Sequence, residues 1–487
     1  MYTKRILSAI FASLLMSLTI AGCADDAKSG TTADTDSVTT AETIEETTKL
    51  EPVLPDKTYD GETINFLTER NTGYDWYTSK EIYAEQQTGE LFNDAVYIRN
   101  TQIEDRFNVK ITQNCVENAS SVASRSLTAG DTEYDVMMPY MNYVISLPQQ
   151  GFFLDLQTIP YLQLDNPWWD QRANADLKMN GKLFFTTGDI SILDNECTMV
   201  MFFNKMLISD YRLDSPYELV NGNKWTIDKV FEMSKGVTSD VDGDSKLTKE
   251  DMWGLSCASN APHSFYFASG ERITKHDSNG NLELVINTQR AVDVIEKIIN
   301  LCLGDKVLSD HTGGSGFDQV SEMFNAGRVL FVTFALVDIN ALRNAEFEFG
   351  ILPYPLYDET QKEYNCLIST ICVPALSIPY NCQNTEAVGV TLEAMAYYSV
   401  DTLTAAYYDN ALKTRYIRDE ESGDMLDIIF ASRVYDLGFI YNWGGVGYLI
   451  QNMYMKKSSN FASEYAKIEK RVLAEMDKTV QAFSGLK

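Results

Sequence analysis

Asp240, Asp242, Asp244, Lys246 and Asp251 form the sharpest chemical pattern in the chain, with carboxylates at positions 1, 3, 5 and 12 of a twelve-residue stretch. Oxygen ligands at that spacing, with apolar Leu247 at position 8, follow an EF-hand-type calcium loop. Ser245 stands at position 6, where glycine is expected, and Asp251 replaces the longer bidentate glutamate at position 12. Both departures weaken the site, which abundant external calcium would still fill. The expectation is a structural Ca2+ held by the four aspartates and the Lys246 carbonyl; a solvated acidic turn is the plainer alternative. A second pattern is polar but not metal-like. Asp194-Asn195-Glu196 interrupts two apolar β-rich runs, Leu183–Thr187 and Thr198–Phe203. A strand broken at such a knot often passes from one lobe to another, leaving its polar groups at the mouth of the gap; a hairpin with a polar turn competes.

The N-terminus carries a different chemistry. Lys4 and Arg5 precede an apolar run from Ile6 to Ala21 that is too short and interrupted to span a membrane comfortably, yet suits the core of a secretory signal. It ends in Ala21-Gly22-Cys23, which resembles a bacterial lipobox, so Cys23 is expected to be diacylated and to become the mature N-terminus. Residues 24–57 are Asp, Thr, Ser, Ala and Glu with few large apolar groups, and cannot offset their own ordering entropy. About 34 residues of such coil reach roughly 30–35 Å. Residues 1–22 therefore read as signal peptide and 23–57 as a lipidated linker. It would hold the body at the outer face of the membrane.

Composition narrows the partners. The chain has 487 residues, 45% of them hydrophobic, enough for large cores in two or three domains. A net charge of −29 disfavours nucleic acid and anionic bilayers. Of eight cysteines, seven remain after Cys23, an odd number without a CxxC pair. They read as mostly reduced, buried thiols, with Cys366–Cys372 left open as a disulfide.

The elements that must position this chemistry alternate. Strand Thr63–Leu67, helix Leu91–Phe107, strand Asn108–Thr112, a helix around Val122–Ala129 and a strand at Val136 form the pattern of a parallel α/β sheet. Loops Arg70–Trp76 and Pro139–Asn142 then lie at carboxyl ends of strands and face one crevice. Thr226 is placed to cap a helix over Ile227–Lys235, and Ala291–Leu303 has an apolar face of Val292, Ile295, Ile298, Ile299 and Cys302. Leu330–Phe334 reads as a strand, Ala335–Asp338 as a passage by the cleft, and Val388–Ser399 and Thr402–Leu412 as helices. Gly313-Gly314-Ser315-Gly316 lacks a following Gly-Lys-Ser/Thr, and is a hinge or turn rather than a phosphate loop.

Several segments carry a family likeness. Ile103-Glu104-Asp105-Arg106-Phe107-Asn108-Val109-Lys110 is similar to the helix-into-second-strand segment of bacterial extracellular solute-binding proteins of the sugar-binding type (family 1). Tyr134-Asp135-Val136 with Gly151-Phe152-Phe153-Leu154-Asp155-Leu156 resembles their third strand and its sequel. Phe202-Phe203-Asn204-Lys205 resembles the strand leaving the hinge. Met323-Phe324-Asn325-Ala326-Gly327-Arg328, followed by Phe349-Gly350-Ile351-Leu352-Pro353-Tyr354-Pro355, resembles the return crossover. Arg418-Asp419-Glu420-Glu421-Ser422 before Met425-Leu426-Asp427-Ile428 has the look of clostridial-type lipoproteins of that family.

The resemblance implies a two-lobed periplasmic-binding-protein-like fold (type II), two α/β lobes with a hinge and an interlobe cleft. Lobe 1 would take residues 58–190, lobe 2 residues 191–352, lobe 1 mainly 353–432, and lobe 2 again 433–487. It further implies a monomeric binder of a small solute, an oligosaccharide, delivered to an ABC transporter permease. Sugars present apolar faces edged by hydroxyls, so their sites combine aromatic platforms with fixed carboxylates and amides. Trp76 and Trp443 are the candidate platforms, and Arg70, Asn142, Asp194, Asn195, Glu196 and Asp338 the candidate hydrogen-bonding groups. Trp168-Trp169 reads equally as a structural corner. A sensory binding lipoprotein and a binder of a non-sugar solute are alternatives. A glycoside hydrolase is disfavoured: with 69 acidic residues some carboxylate pair always looks plausible, while GxSxG, HExxH and P-loop motifs are missing. The three histidines, His263, His276 and His311, show no ligand spacing and read as surface or core residues.

Overall fold

Alternating apolar side chains at Ile64, Phe66 and Leu67 make the first strand, and a left-handed Asn108 (φ 48°) turns the helix behind it directly into the second. The computed structural model describes residues 49–309, 314–410 and 420–486; Cys23 and the signal segment, most of the linker, His311, Gly313, Arg418 and Asp419 lie outside them. Residues 52–487 form one body.

Its first lobe contains β1 (Glu62–Glu69), α1 (Leu91–Phe107), β2 (Val109–Val116), α2 (Ala119–Ala129) and β3 (Val136–Met138). The three strands are parallel in the order β2-β1-β3. Antiparallel bridges of Met137 with Ser377, and of Thr186 with Leu376, widen the sheet with chain that returns much later. A short helix, α3 (Leu193–Glu196), then carries the chain out of this lobe.

The second lobe is built on a five-stranded mixed sheet. It comprises β4 (Met199–Asn204), α4 (Ile227–Val237), β5 (Trp253–Cys257), α5 (Ala261–Ala268), α6 (Gln289–Cys302), β6 (Val307–Ser309), β7 (Val329–Ala335) and β8 (Phe349–Leu352). The strand order is β8-β4-β7-β5-β6. β4 is antiparallel to β7 and β8, and β5 is parallel to β7 and β6. Thr226 caps α4 through the Lys229 amide, and Ile295, Ile298, Ile299 and Cys302 of α6 are buried, both as the pattern required. Gly254 of β5 has no room for a Cβ, which would come within 1.9 Å of the Ser234 carbonyl oxygen, so only glycine lets α4 lie this close to the sheet.

The chain returns through β9 (Cys366–Leu367), followed by α7 (Thr385–Asp401) on lobe 1 and α8 (Glu420–Ala431) against β8 of lobe 2. β10 (Arg433–Val434) pairs with β9, and Thr198 bridges Ile368, so three crossing segments lie side by side at the hinge. Near the C-terminus α9 (Leu449–Met455) packs on α5 and α6 of lobe 2. α10 (Glu469–Ser484) goes back to lobe 1, where Phe483 meets Phe184 and Lys182 bonds the Leu486 carbonyl.

The Gly313–Gly316 stretch, read as a hinge or turn, has Gly314 as the first residue of a helix, Gly314–Asn325. Among the described residues no helix is long and apolar enough to cross a membrane. None of the seven cysteines after Cys23, all among the described residues, is in a disulfide; Cys257 and Cys302 are neighbours with sulfurs 3.7 Å apart.

Candidate functional site

Loops that follow carboxyl ends of strands in both lobes converge on one gap. Beyond β1 the chain enters Tyr74–Tyr77; beyond β7 it enters Leu336–Ala341. The Tyr77 hydroxyl donates to Asp338 Oδ1 at 2.6 Å, and Tyr74 meets Phe317 edge-on at 5.5 Å, so the lobes touch through these loops. Tyr140, after β3, donates its hydroxyl to the Tyr77 carbonyl at 2.8 Å, which ties the two lobe 1 loops together.

A cavity of 380 Å³ lies on one side of the Tyr77–Asp338 contact. Its lobe 2 wall is the loop Ala258–Asn260 with His263, the ends of β7 and Phe317; its hinge wall is Ser369–Ile371; Phe439, Tyr448 and Gln451 complete it. The lining is aromatic and hydroxylated. No lysine or arginine is among the described residues that line it. Asp338 is the one carboxyl group among the described residues that line it. Burial pushes that carboxyl up to about 6, against the Tyr77 hydroxyl, the Ala335 amide and the Trp76 indole, which favour the ionised form. The same burial, with Asp338 beside it, holds the Tyr77 hydroxyl well above its ordinary value. His263 is 1% exposed and its Nε2 has no hydrogen-bond partner among the described residues. Its ring sits against Phe439 and Tyr448, with centroids 5.4 and 6.2 Å away. Burial lowers its pKa to about 4, the Gly447 backbone opposing, so the imidazole is neutral at physiological pH.

A second cavity, 310 Å³ and largely aliphatic, is lined by Trp76, Glu81, Ile192, Glu196, Val337 and Tyr407 among others. Glu196 faces it with its carboxyl pushed up to about 8, by burial first and then by Glu81 and Asp194, with Lys80 opposing. Glu81 is buried and bonded to Ser191 Oγ at 2.7 Å.

The eight expected ligand groups separate into three sets. Asp338 lines the larger cavity, and Asn142 stands at its edge beside Tyr448, its amide bonded to the Thr370 carbonyl. Trp76 and Glu196 line the smaller one, Trp76 stacked on Tyr74 at 5.0 Å. The remaining four are elsewhere. Arg70 is exposed and lines neither cavity; only its backbone is tied in, to Val116. Asp194 and Asn195 were expected at the mouth of the gap, but both are buried and turned toward Arg433 of β10. Arg433 also meets Asp170 at 2.9 Å, and Tyr435 donates to that aspartate at 2.8 Å. These acids hold the guanidinium charged although burial acts the other way, while burial raises Asp194 to about 7 despite Arg433. The polar knot is therefore a strut between crossings. A buried cation needed acids from two segments, and the knot supplies one of them.

Trp443 is the clearest correction. The Gly444-Gly445 break beside it suggested an exposed ring, yet Trp443 is 3% exposed, stacked on Tyr441 at 5.1 Å and bonded through Nε1 to Thr479. Gly444 serves a close approach instead. At φ +57° a Cβ there would come within 2.6 Å of the Val472 amide nitrogen, while its own amide bonds Glu475. Trp168 and Trp169 form a corner, both indole N–H groups donating to the buried Glu393 carboxylate at 3.0 and 2.8 Å.

In the acidic loop, ligand atoms of Asp240, Asp242 and Asp244 lie within 4.8 Å of one another. Ser245 takes the left-handed conformation (φ 66°) required at position 6, and its amide bonds Asp240. Asp251 is outside that cluster. Its oxygens accept from the Val241 and Thr248 amides, and Lys246 donates its own amide to Asp244.

No sequence-family model matches the chain, and neither does any curated protein. Solved structures do. A cyclo/maltodextrin-binding protein complexed with maltotetraose superposes with a TM-score of 0.57 at 13% identity, over 88% of this chain and 99% of that one. An ABC substrate-binding protein from Listeria monocytogenes in complex with cycloalternan gives 0.51 at 13% identity, over 88% and 100%. A solute-binding protein of an ABC transporter from Agrobacterium radiobacter, in complex with ribitol, gives 0.53 at 10% identity, over 86% and 100%. The fold is the two-lobed α/β fold of periplasmic-binding-like proteins, covering nearly the whole described body.

Proposed function

We propose that this chain is an extracellular solute-binding protein of the sugar-binding type, which captures a carbohydrate by lobe closure and passes it to an ABC permease. The observation that carries the reading is the 380 Å³ interlobe cavity, aromatic and hydroxyl-rich, spanned at its edge by Tyr77 and Asp338. Its size is that of a small-molecule site, roughly 300–1,000 Å³. Aromatic faces suit the apolar faces of sugar rings, and neutral amides and hydroxyls suit their edges. The neighbours named above, which hold maltotetraose, cycloalternan and ribitol, support the carbohydrate class. Capture without chemistry fits as well. Asp338 is a single carboxyl committed to Tyr77 and the Ala335 amide, whereas glycoside hydrolysis needs two facing carboxyl groups.

The protein is tethered through a diacylated Cys23, acts as a monomer at the outer face of the membrane, and holds Ca2+ on Asp240, Asp242 and Asp244. The sequence pattern supports the anchor, and the left-handed Ser245 with the gathered aspartates supports the metal. Thermal-shift screening of the chain against oligosaccharides, peptides and polyamines tests the reading. A saturating ligand at 100 times its Kd adds about 2.7 kcal/mol. A glycan that raises the Tm and is recovered intact supports capture; a cleaved glycan points to an enzyme, and a hit only among peptides or amines overturns the substrate.

A further inference from the structure

Several polar side chains of the larger cavity are bonded within the protein. Asp338 holds Tyr77 and the Ala335 amide, Thr333 accepts from the Ala258 amide and donates to the Ser256 carbonyl, and Ser259 accepts from Gln451. His263 differs. It is the third residue of α5, behind the loop Ala258–Asn260, in a helix whose eight residues are all buried. Its ring lines the cavity and Nε2 is left without a protein partner. The Gly447 backbone engages the other side of the imidazole, so folding accounts for one ring nitrogen and leaves Nε2, which is destabilising where it stands, without a protein partner.

We propose that a hydroxyl of an uncharged, polyhydroxylated ligand completes the hydrogen bonding of the His263 imidazole, and that this contact determines which saccharides the cleft accepts. The inference rests on the carbohydrate reading and deepens it. A neutral imidazole carries one donor and one acceptor. With the Gly447 backbone engaging the other nitrogen, Nε2 is left as the acceptor, which a ligand hydroxyl can donate to and a carboxylate cannot. The rest of the cavity selects in the same direction. A uronate or sugar phosphate would meet the Asp338 carboxyl and no lysine or arginine among the described lining residues, in a chain of net charge −29. A buried anion without a cation is strongly disfavoured. An amino sugar would find one carboxyl, already bonded to Tyr77.

The test uses the full chain with Cys23→Ala to keep it free of lipid, and a variant His263→Phe that preserves the ring between Phe439 and Tyr448. Calorimetric titration with maltotetraose, cellobiose, ribitol, digalacturonate and chitobiose (as its de-acetylated diamine) finds the binder. Single-deoxy analogues of that binder are then titrated into both proteins. The expected result is a neutral binder whose affinity falls at least about 5-fold in H263F. One deoxy position should cost affinity in the parent chain but nothing further in the variant. The Tm of unliganded H263F stays equal or rises, because the orphaned nitrogen is gone; a structural role would lower it. Equal affinity in H263F, or loss without coupling to any hydroxyl, overturns the inference and leaves the carbohydrate reading standing. Tighter binding of digalacturonate or of the diamine overturns the neutral class. No saccharide binding to the parent chain overturns both.

Discussion

The hinge and the cleft of this protein use polar residues in opposite ways. At the hinge Arg433 is enclosed by Asp170, Asp194 and Asn195, so its guanidinium meets acids from two different segments. In the cleft His263 is more deeply buried than Arg433, and its Nε2 goes unpaired among the described residues. Buried charge met by acids from two segments fixes the positions of backbone segments. Buried neutral polarity left unmatched is capacity reserved for something that arrives later. The distinction separates a residue that holds crossing segments together from one that lines the cavity.

The contrast is broken most forcefully at its structural side. Arg433→Ala leaves Asp170 and Asp194 buried without their cation and is expected to cost about 3–5 kcal/mol, read as a fall in denaturation midpoint. Trp443→Ala removes a buried indole stacked on Tyr441 and should cost a similar 3–5 kcal/mol. Its ligand affinity, measured below the melting transition, should be unchanged. A lost affinity with unchanged stability would return Trp443 to the cleft.

At the cleft the pattern inverts. Tyr77→Phe removes the hydroxyl that joins the lobes at Asp338 and should weaken ligand binding by about 1.5–3 kcal/mol, roughly ten- to hundredfold, in calorimetric titration. Its effect on the unliganded Tm should be smaller than that of Arg433→Ala. Equal effects on both quantities would make this contact part of the hinge.

Acid should sharpen the difference further. Glu196 has its folded pKa raised to about 8 from an ordinary 4.5. Between those values the folded state holds a proton that the unfolded state has released, so stability is fully present below about 4.5 and is lost as pH rises through 8. The Tm of the parent chain should fall between pH 5 and pH 9 by more than that of Glu196→Gln, which stays neutral throughout. Parallel curves would show that Glu196 is not desolvated. The smallest effect expected is that of Ca2+: a Tm rise in millimolar calcium, absent in Asp240→Asn, with ligand affinity unchanged because the loop at 240–251 lines neither cavity.

Much of the fold was legible from local pattern. β1, β2, β7, α1 and α6 lie within a residue or a few of the expected spans, because period-two and period-3.6 burial is written along the chain itself. The convergence of the loops after β1 and β3 was legible too, since a parallel α/β sheet brings its carboxyl ends to one side; Tyr140 and Tyr77 are bonded there. The site was legible only in part. Asp338 and Asn142 adjoin the larger cavity because they follow strand ends, whereas for Trp443 and Asp194 the family likeness, with a glycine break beside one and polar company around the other, points to the cleft. In each of these the same local signal serves burial: Gly444 admits α10, and the knot neutralises Arg433. His263 was passed over because a histidine with no sequence neighbours of its kind carries no spacing signal.

The sequence by itself determined many of the elements and their order, because periodicity, capping and alternation act between residues a few positions apart; the two-lobed class is what the family likeness of its longer segments implies. Only the tertiary structure decided which polar groups face the ligand. The cavity wall is gathered from separate segments, with Tyr77, His263, Phe317, Asp338, Thr370 and Tyr448 among its members. Whether a buried group is paired depends on contacts between segments a hundred or more residues apart, as between Tyr77 and Asp338, and no local interaction encodes them.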